Sequence, residues 1–318
     1  MRILYIYKEY KDRRKLYGKM MENLGHKVDY LFIEHKTKSN QIHIDHIKRY
    51  KPDLIWLLNP FYISCKGINS DTMNFIKSKK IPIAMACTFD TRYPYMEWVD
   101  KVWRKIDFLF VHYKQMAEDL RALDINAHYM PLGFYPSQYS KKRSVKDIDV
   151  SFMGNAITCL PKEQDKRCIY LESLKDFNIR IYGKSFIKRL KDINVEEYNG
   201  HQKQRQVYAR TKVNLSLPFI NSPHPFYFDK YHQKNRLYEI PATGNFLLTV
   251  RNQEFLDLFG EDTIGFYDDN IESLRENVSR YIKDKTTREE MAKRAYKLVH
   301  QKYTYQHAFN KMFKIIES

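Results

Sequence analysis

The chain has no run of about 18 consecutive apolar residues, so nothing in it reads as a membrane-spanning helix. No secretory leader is expected either. The apolar run in MRILYIYKEYKDRRK is about six residues long and charge follows at once, so the segment reads as a first strand. Cysteine is scarce: Cys65, Cys87, Cys159 and Cys168 have no metal-ligand spacing and are too few to staple 318 residues. A reducing, cytoplasmic setting is expected. No block of five or six like charges occurs, and there is no internal repeat or low-complexity tract.

What is present is ample core material. Hydrophobic residues make up 43% and aromatics 15%, with 25 Tyr and 19 Phe, and the length suggests two domains. The net charge is +17, and residues 1–145 hold 26 Lys+Arg against 15 Asp+Glu, so the excess leans toward the first half. Two readings of that charge stay open. One is a polyanionic partner: nucleic acid, an anionic membrane surface, or phosphates. The other is lysine spread over solvated faces, which the lack of charge blocks favours.

The first half alternates strands and helices. Strands read at 2–7, 26–34, 53–59, 81–89 and 107–112, with 127–133 closing the series; helices read at 12–25, 41–52, 70–80, 100–106 and 113–124. DLIWLLN and IPIAMACTF are apolar on both faces, as buried parallel strands are. The polar segment 137–148 reads as a linker. The alternation then restarts: strands at 149–155, 179–186, 213–219, 245–250 and 263–268, helices at 162–177, 205–212, around RLYEIPATG, at 252–260, and as long amphipathic runs at 270–285 and 286–318. Such alternation predicts two doubly wound parallel-sheet domains facing a cleft.

Open parallel sheets bind ligands outside the carboxyl ends of their strands. In the second domain that directs attention to Gly154-Asn155, Gly183-Lys184, the stretch from Pro218, and Arg236 to Gly244. Glycine after a strand lets backbone approach a phosphate. Arg167, Lys184 and Arg236 would add full charges, and Glu239 would accept hydrogen bonds from ribose hydroxyls. Together these describe a nucleotide-diphosphate site. Singly, each has a plainer reading: a glycine turn, or a surface ion pair worth about 0.3–0.5 kcal/mol.

NRLYEIPATGNFLL resembles the donor-binding segment of GT-B glycosyltransferases, closest to the group-1 type with CgeB-like (spore-maturation) proteins. Arg236, Glu239, Ala242 and Gly244 fall in register with an Arg-x-x-Glu-x-x-Ala-x-Gly pattern. LGHKVDYL, the Pro131-Leu132-Gly133 turn, SFMGN and the closing helices agree with the same family. The resemblance implies an acceptor-side domain over 1–140, a donor domain over 141–300 and a last helix, 301–318, crossing back onto the first. It implies that Glu239 binds the donor ribose, that Arg236 neutralises the diphosphate and that Gly244 ends the helix. Two features depart from the pattern. Tyr231 stands where many retaining members have the first glutamate of a Glu-x₇-Glu pair, and YKEYKDRR replaces the Gly-Gly turn after the first strand.

The expected function is transfer of a sugar from a nucleotide-diphosphate sugar. Negative charge grows on the leaving diphosphate, and fixed cations meet it without a metal; no Asp-x-Asp metal-binding motif is expected in the chain, and no cofactor is expected. Asp90, in CTFDTRYPYMEW, is the candidate base, with a turn cap as its plainer role, and His112 is a second catalytic candidate. Asn59 to Tyr62 would line the same cleft, and the aromatics and histidines of loop 224–235 would cover the donor sugar or merely pack as a surface loop. The acceptor is a glycan, lipid or small molecule. Two alternatives are a modified base in DNA, as for some phage enzymes of this architecture, and a non-catalytic nucleotide- or DNA-binding protein on the same frame. A peripheral position on the inner membrane face would also suit the charge.

Overall fold

The computed structural model describes residues 1–7, 11–32, 40–57, 70–87, 102–141, 144–156, 160–197, 200–219 and 233–318. Asp90, the NPFY stretch, Tyr231 and most of the loop 224–235 lie outside these residues. Two compact units emerge: residues 1–131 with 306–318, and the described residues from 132 to 305.

The first unit is a six-stranded sheet of order β2-β1-β3-β4-β5-β6, parallel at every pairing. Its strands are β1 (Arg2–Tyr7), β2 (Lys27–Phe32), β3 (Leu54–Leu57), β4 (Ile83–Cys87), β5 (Phe108–Val111) and β6 (Ala127–Tyr129). All residues of β3 and β4 are buried, as strands covered on both faces require. The crossovers are α1 (Lys11–Asn23), α2 (Asn40–Tyr50), α3 (Ser70–Ser78), a short 3₁₀ turn at Trp103–Lys105 and α4 (Lys114–Ala122). Buried Met116, Ala117 and Leu120 in α4 carry helical spacing, which turns one face onto the sheet.

The second unit repeats the plan with the order β12-β11-β10-β7-β8-β9, again all parallel. Here the strands are β7 (Ile148–Met153), β8 (Ile179–Tyr182), β9 (Asn194–Glu196), β10 (Thr211–Ser216), β11 (Leu247–Val250) and β12 (Gly265–Tyr267). Its helices are α5 (Lys166–Glu172), α6 (Gly200–Arg210), α7 (Arg236–Ala242), α8 (Gln253–Phe259), α9 (Ile271–Lys283) and α10 (Lys285–Lys302); the last helix of the chain is α11 (Tyr305–Glu317).

The structure differs from the sequence expectation in four places. The helix expected over 162–177 is a 3₁₀ turn at Lys162–Gln164 followed by α5, because Asp165 turns its carboxylate onto the Arg167 backbone N–H (2.9 Å) and starts a new helix there. β9 was not expected. The helical run 286–318 breaks at Tyr303-Thr304, where the Phe134 N–H donates to the Tyr303 carbonyl (3.2 Å) and the Tyr305 N–H donates to the Phe134 carbonyl (3.0 Å). A Cβ on Gly133 would stand 2.8 Å from the Tyr303 carbonyl oxygen, so this close approach requires glycine. Finally, 137–148 is not a free linker, since Tyr139 is 1% exposed and its hydroxyl donates to Gln204 Oε1 (3.0 Å).

Beyond that break, α11 belongs to the first unit because of its aromatics. Phe309 and Phe313 stack on Trp56, with ring centroids 5.2 and 5.6 Å away, and Phe309 also meets Tyr17 at 5.2 Å. No helix among the described residues is long and apolar enough to cross a membrane.

Candidate functional site

The carboxyl end of the second sheet brings several of the expected residues together. Gly154 follows β7 and Gly183 follows β8. The Gly154 N–H donates to the Tyr182 carbonyl (3.0 Å) and the Gly183 N–H to the Glu196 carbonyl (2.9 Å). The two turns touch: a Cβ on Gly183 would lie 1.8 Å from the Gly154 carbonyl oxygen. Any side chain there would force one backbone away from the other.

Arg236 opens α7 against this pair of turns. Its guanidinium sits over the Phe152 ring at 5.8 Å, and Nη2 is 3.2 Å from where a Gly154 Cβ would be. Its Nε is buried and donates to no acceptor among the described residues. A buried charge-bearing donor left unpaired is costly, so this one is poised for an acceptor that the described residues do not supply.

Glu239 lies one turn along α7 and is 7% exposed. Its Oε2 accepts from Gln204 Nε2 (2.9 Å), and that same amide nitrogen donates to the Tyr208 hydroxyl (2.6 Å). Gln204 is thus a residue the motif reading missed. The available signal was its spacing of four from Tyr208 on α6, which places both on one helix face. Gln233 was missed as well. It is 2% exposed, and its Oε1 accepts from the Tyr238 hydroxyl (2.6 Å) and the Leu132 N–H (3.1 Å), which fastens the start of α7.

Other expected residues have different work. Arg167 is held by backbone carbonyls. Its Nε, Nη1 and Nη2 donate to the carbonyls of Leu217 (3.2 Å), Asn155 (2.8 Å) and Phe219 (3.0 Å), tying the loop after β7 to the end of β10. Asn155 is exposed, and its Oδ1 accepts from the Ser185 hydroxyl (3.4 Å) while that hydroxyl accepts from the Ala156 N–H (2.7 Å). Lys184 is 82% exposed beside Glu197, at 3.7 Å. Gly244 has φ +73 and its N–H donates to the Pro241 carbonyl (2.8 Å), which makes it a left-handed stop for α7. It leads into the amino end of β11 and is not among the turns at the carboxyl end.

In the first unit, His112 is 4% exposed, with Nδ1 on the Met130 carbonyl (2.9 Å) and Nε2 buried without a partner among the described residues. Burial pushes its pKa down to about 4, against the opposing pull of the Met130 carbonyl. The ring is therefore neutral at pH 7.

The chain does contain one Asp-x-Asp, Asp147-Ile148-Asp149, but it lies at the amino end of β7. Asp147 is held by Arg210, whose hydrogen bond keeps that carboxyl down at about 2, and Asp149 takes Lys212 Nζ at 2.7 Å. Among the described residues, no cluster of three His, Cys, Asp or Glu side chains is arranged to hold a metal ion.

Residues 166–314 match the model of a family described as glycosyl transferase-like. No curated protein matches the chain. Among solved structures, an α-glucosyltransferase in complex with UDP and a 13-mer DNA containing an HMU base has TM-score 0.71 at 12% identity, covering 100% of both chains. Sucrose-phosphate synthase from Thermosynechococcus elongatus has TM-score 0.68 at 9% identity, over 100% of this chain and 98% of that one. Anabaena HepE in complex with UDP-glucose has TM-score 0.65 at 11% identity, over 100% and 99%. The fold is therefore GT-B.

Proposed function

We propose that the chain transfers a sugar from a UDP-sugar, holding the donor at the carboxyl end of the second sheet. The GT-B fold together with a glycosyl transferase-like family match makes it a nucleotide-sugar glycosyltransferase. UDP as the nucleotide is favoured by the solved structures of the same fold that carry UDP or UDP-glucose. One observation carries the donor site: the buried, unpartnered Nε of Arg236 beside the touching turns of Gly154 and Gly183.

In this reading the diphosphate lies over the two glycine turns, and Arg236 meets the charge that grows on it as the glycosidic bond breaks. Glu239, held in place by Gln204, accepts from the ribose hydroxyls. Arg167 shapes the loop and does not touch the donor. The transfer needs no metal, because a fixed cation already occupies the place of one. The finer likeness to CgeB-like proteins rests on Arg236, Glu239, Ala242 and Gly244 alone. His112 is a poor base because it is enclosed and burial lowers its pKa, which leaves Asp90 as the proposed base.

Calorimetric titration of UDP in EDTA is the test. Binding is expected in the wild type, with a loss of tenfold or more in both Arg236→Ala and Glu239→Ala while the denaturation midpoint holds. Binding that needs a divalent cation would overturn the metal-free transfer, and UDP affinity unchanged in Arg236→Ala would overturn the site.

A second reading concerns the acceptor only. Similarity over the full length of a glucosyltransferase crystallised with DNA, together with the net charge of +17, favours a modified base in DNA. Affinity for single- and double-stranded oligonucleotides should then weaken steeply, by orders of magnitude, between about 50 and 200 mM salt. No binding at the lower salt would remove this reading.

A further inference from the structure

The opposite end of the second sheet holds a cavity of about 700 Å³ that the donor site does not use. It lies at the amino ends of β7, β10 and β11, against α10. Six cations line it: Lys141, Lys146, Lys212, Lys285, Arg288 and Lys293, against a single lining carboxylate, Glu289. Asp149 pairs with Lys212 (2.7 Å), and Glu289 lies 3.8 Å from Lys285. The other four cations have no ion-pair partner among the described residues. Lys146 Nζ donates to the Thr211 carbonyl (2.9 Å) and to Asn245 Oδ1 (2.7 Å), and Arg288 Nη1 donates to the carbonyls of Tyr281 and Ile282. Both are thus fixed in place by neutral acceptors. Lys141 and Lys293 are exposed at the rim, and Lys141 Nζ lies 5.5 Å from the centre of the Tyr296 ring.

From this we infer a second anion site, separate from the donor site, that takes the phosphate groups of a small phosphorylated molecule.

Three observations support it. Solvated lysines on a basic surface normally spread apart, whereas here buried Arg288 stands close enough to largely buried Lys146 to disfavour the lysine's charge, while Glu289, Asp284 and Asp149 favour that of Arg288. Burial first, and Arg288 second, lower the Lys146 pKa to about 8. An anion between them would relieve the repulsion. Next, the space is concave and has apolar walls in Phe246, Ala292 and Tyr296, and its volume falls in the range of small-molecule sites, about 300–1,000 Å³. That shape suits a compact ligand better than a nucleic-acid backbone or a lipid surface, which need an extended basic face. Last, the cavity includes Gly244 and Asn245, directly behind the helix that carries Arg236 and Glu239, so its occupant would touch the far end of that helix.

The probe is inorganic pyrophosphate, titrated calorimetrically at about 0.15 M ionic strength into protein saturated with UDP, and separately into Arg236→Ala. One binding step is expected in both. It should weaken at least tenfold in Lys141→Ala/Lys293→Ala, whose unchanged UDP binding reports an intact fold. Glu289→Gln should tighten it about threefold, a gain that misfolding cannot produce. No pyrophosphate step in UDP-saturated protein would overturn the site. So would a step indifferent to the double variant, or binding of oligonucleotides or anionic phospholipid vesicles through these lysines without binding of pyrophosphate. Failure of UDP to bind would leave the titration of Arg236→Ala able to decide this question separately from the proposed activity.

Discussion

The two ends of the second sheet treat charge in opposite ways. At the carboxyl end the expected cations differ in their surroundings: Arg167 donates to three carbonyls, Lys184 stands in solvent, and Arg236 keeps a buried Nε without a partner among the described residues. At the amino end six cations crowd one cavity. A count of charge along the sequence leans toward the first half and points to neither place, whereas the accounting of hydrogen bonds points to the carboxyl end. A cation is informative when its surroundings fix it and leave it unsatisfied, because exposed charges interact weakly through water.

The largest way to break this comparison is to separate the two glycine turns. In Gly183→Ala the new Cβ would stand 1.8 Å from the Gly154 carbonyl oxygen, and both partners are backbone. The φ of Gly183 is 173°, ordinary extended backbone, so the cost is steric and not conformational. Urea denaturation should report a loss of about 3 kcal/mol or more, together with loss of UDP binding. A loss under about 1 kcal/mol would mean that the turns can slide apart and do not form a fixed cradle.

Next come the two arginines. Arg167→Ala should destabilise by about 2–3 kcal/mol, because three carbonyls lose a charged donor. Arg236→Ala should change stability by less than about 1 kcal/mol, since its loss removes an unpaired buried donor and one ring contact, yet it should abolish most UDP affinity. Denaturation and titration on the same two variants give a crossed pattern. If both proteins lost stability and affinity in the same proportion, the division between scaffold and ligand arginine would fail.

That division also marks how far the sequence could be read. The sheets were legible because buried parallel strands are short apolar runs, as β3 and β4 are throughout. Asn194–Glu196 was not, because an edge strand of three residues carries no apolar run. The break at Tyr303-Thr304 was hidden for the opposite reason: the amphipathic pattern runs straight through it, and only pairing with Phe134, distant in sequence, stops the helix. At the site, the motif picked out Arg236 and Glu239, which the structure places on one helix with fixed spacing. It gave Arg167 as a charge without the carbonyls that hold it, because a sequence does not show partners. It missed Gln204, whose role exists only where α6 meets α7. Gly244 was correctly read as a helix stop and wrongly grouped with the donor turns, because nothing in the sequence says at which end of the sheet the helix finishes.

The amino end can be sharpened by pH. Burial lowers Lys146 from the usual 10.5 to about 8 in the folded chain. Below pH 8 the ammonium is charged in both states and the folded state bears the full penalty. Between about 8 and 10.5 the unfolded chain binds more protons than the folded one, so stability attributable to this group rises with pH. Relative to Lys146→Met, the wild type should gain on the order of 1–2 kcal/mol from pH 7.5 to 9.5 in urea denaturation. A flat difference between the two proteins would show that Lys146 is no more strained than a surface lysine. The crowding that motivates the second anion site would then be absent.

The smallest expected effect belongs to Lys184, the cation that a motif reading places nearest the phosphates. It directly follows Gly183, is 82% exposed, and stands 3.7 Å from Glu197, itself half exposed. An ion pair so open to water contributes at most a few tenths of a kcal/mol, screened further by salt. Lys184→Ala should therefore leave stability within about 0.5 kcal/mol and UDP affinity within about threefold, an amount equal to roughly 0.65 kcal/mol. Being long and unfixed, the side chain would have to give up its rotamer freedom to reach a ligand, which costs about as much as an exposed charge returns. A tenfold or greater fall in UDP affinity, with stability intact, would reverse the lesson drawn from the two ends of the sheet. A mobile surface lysine would then be gripping the donor, and unsatisfied hydrogen bonding in the empty site would not be a sufficient guide to what binds there.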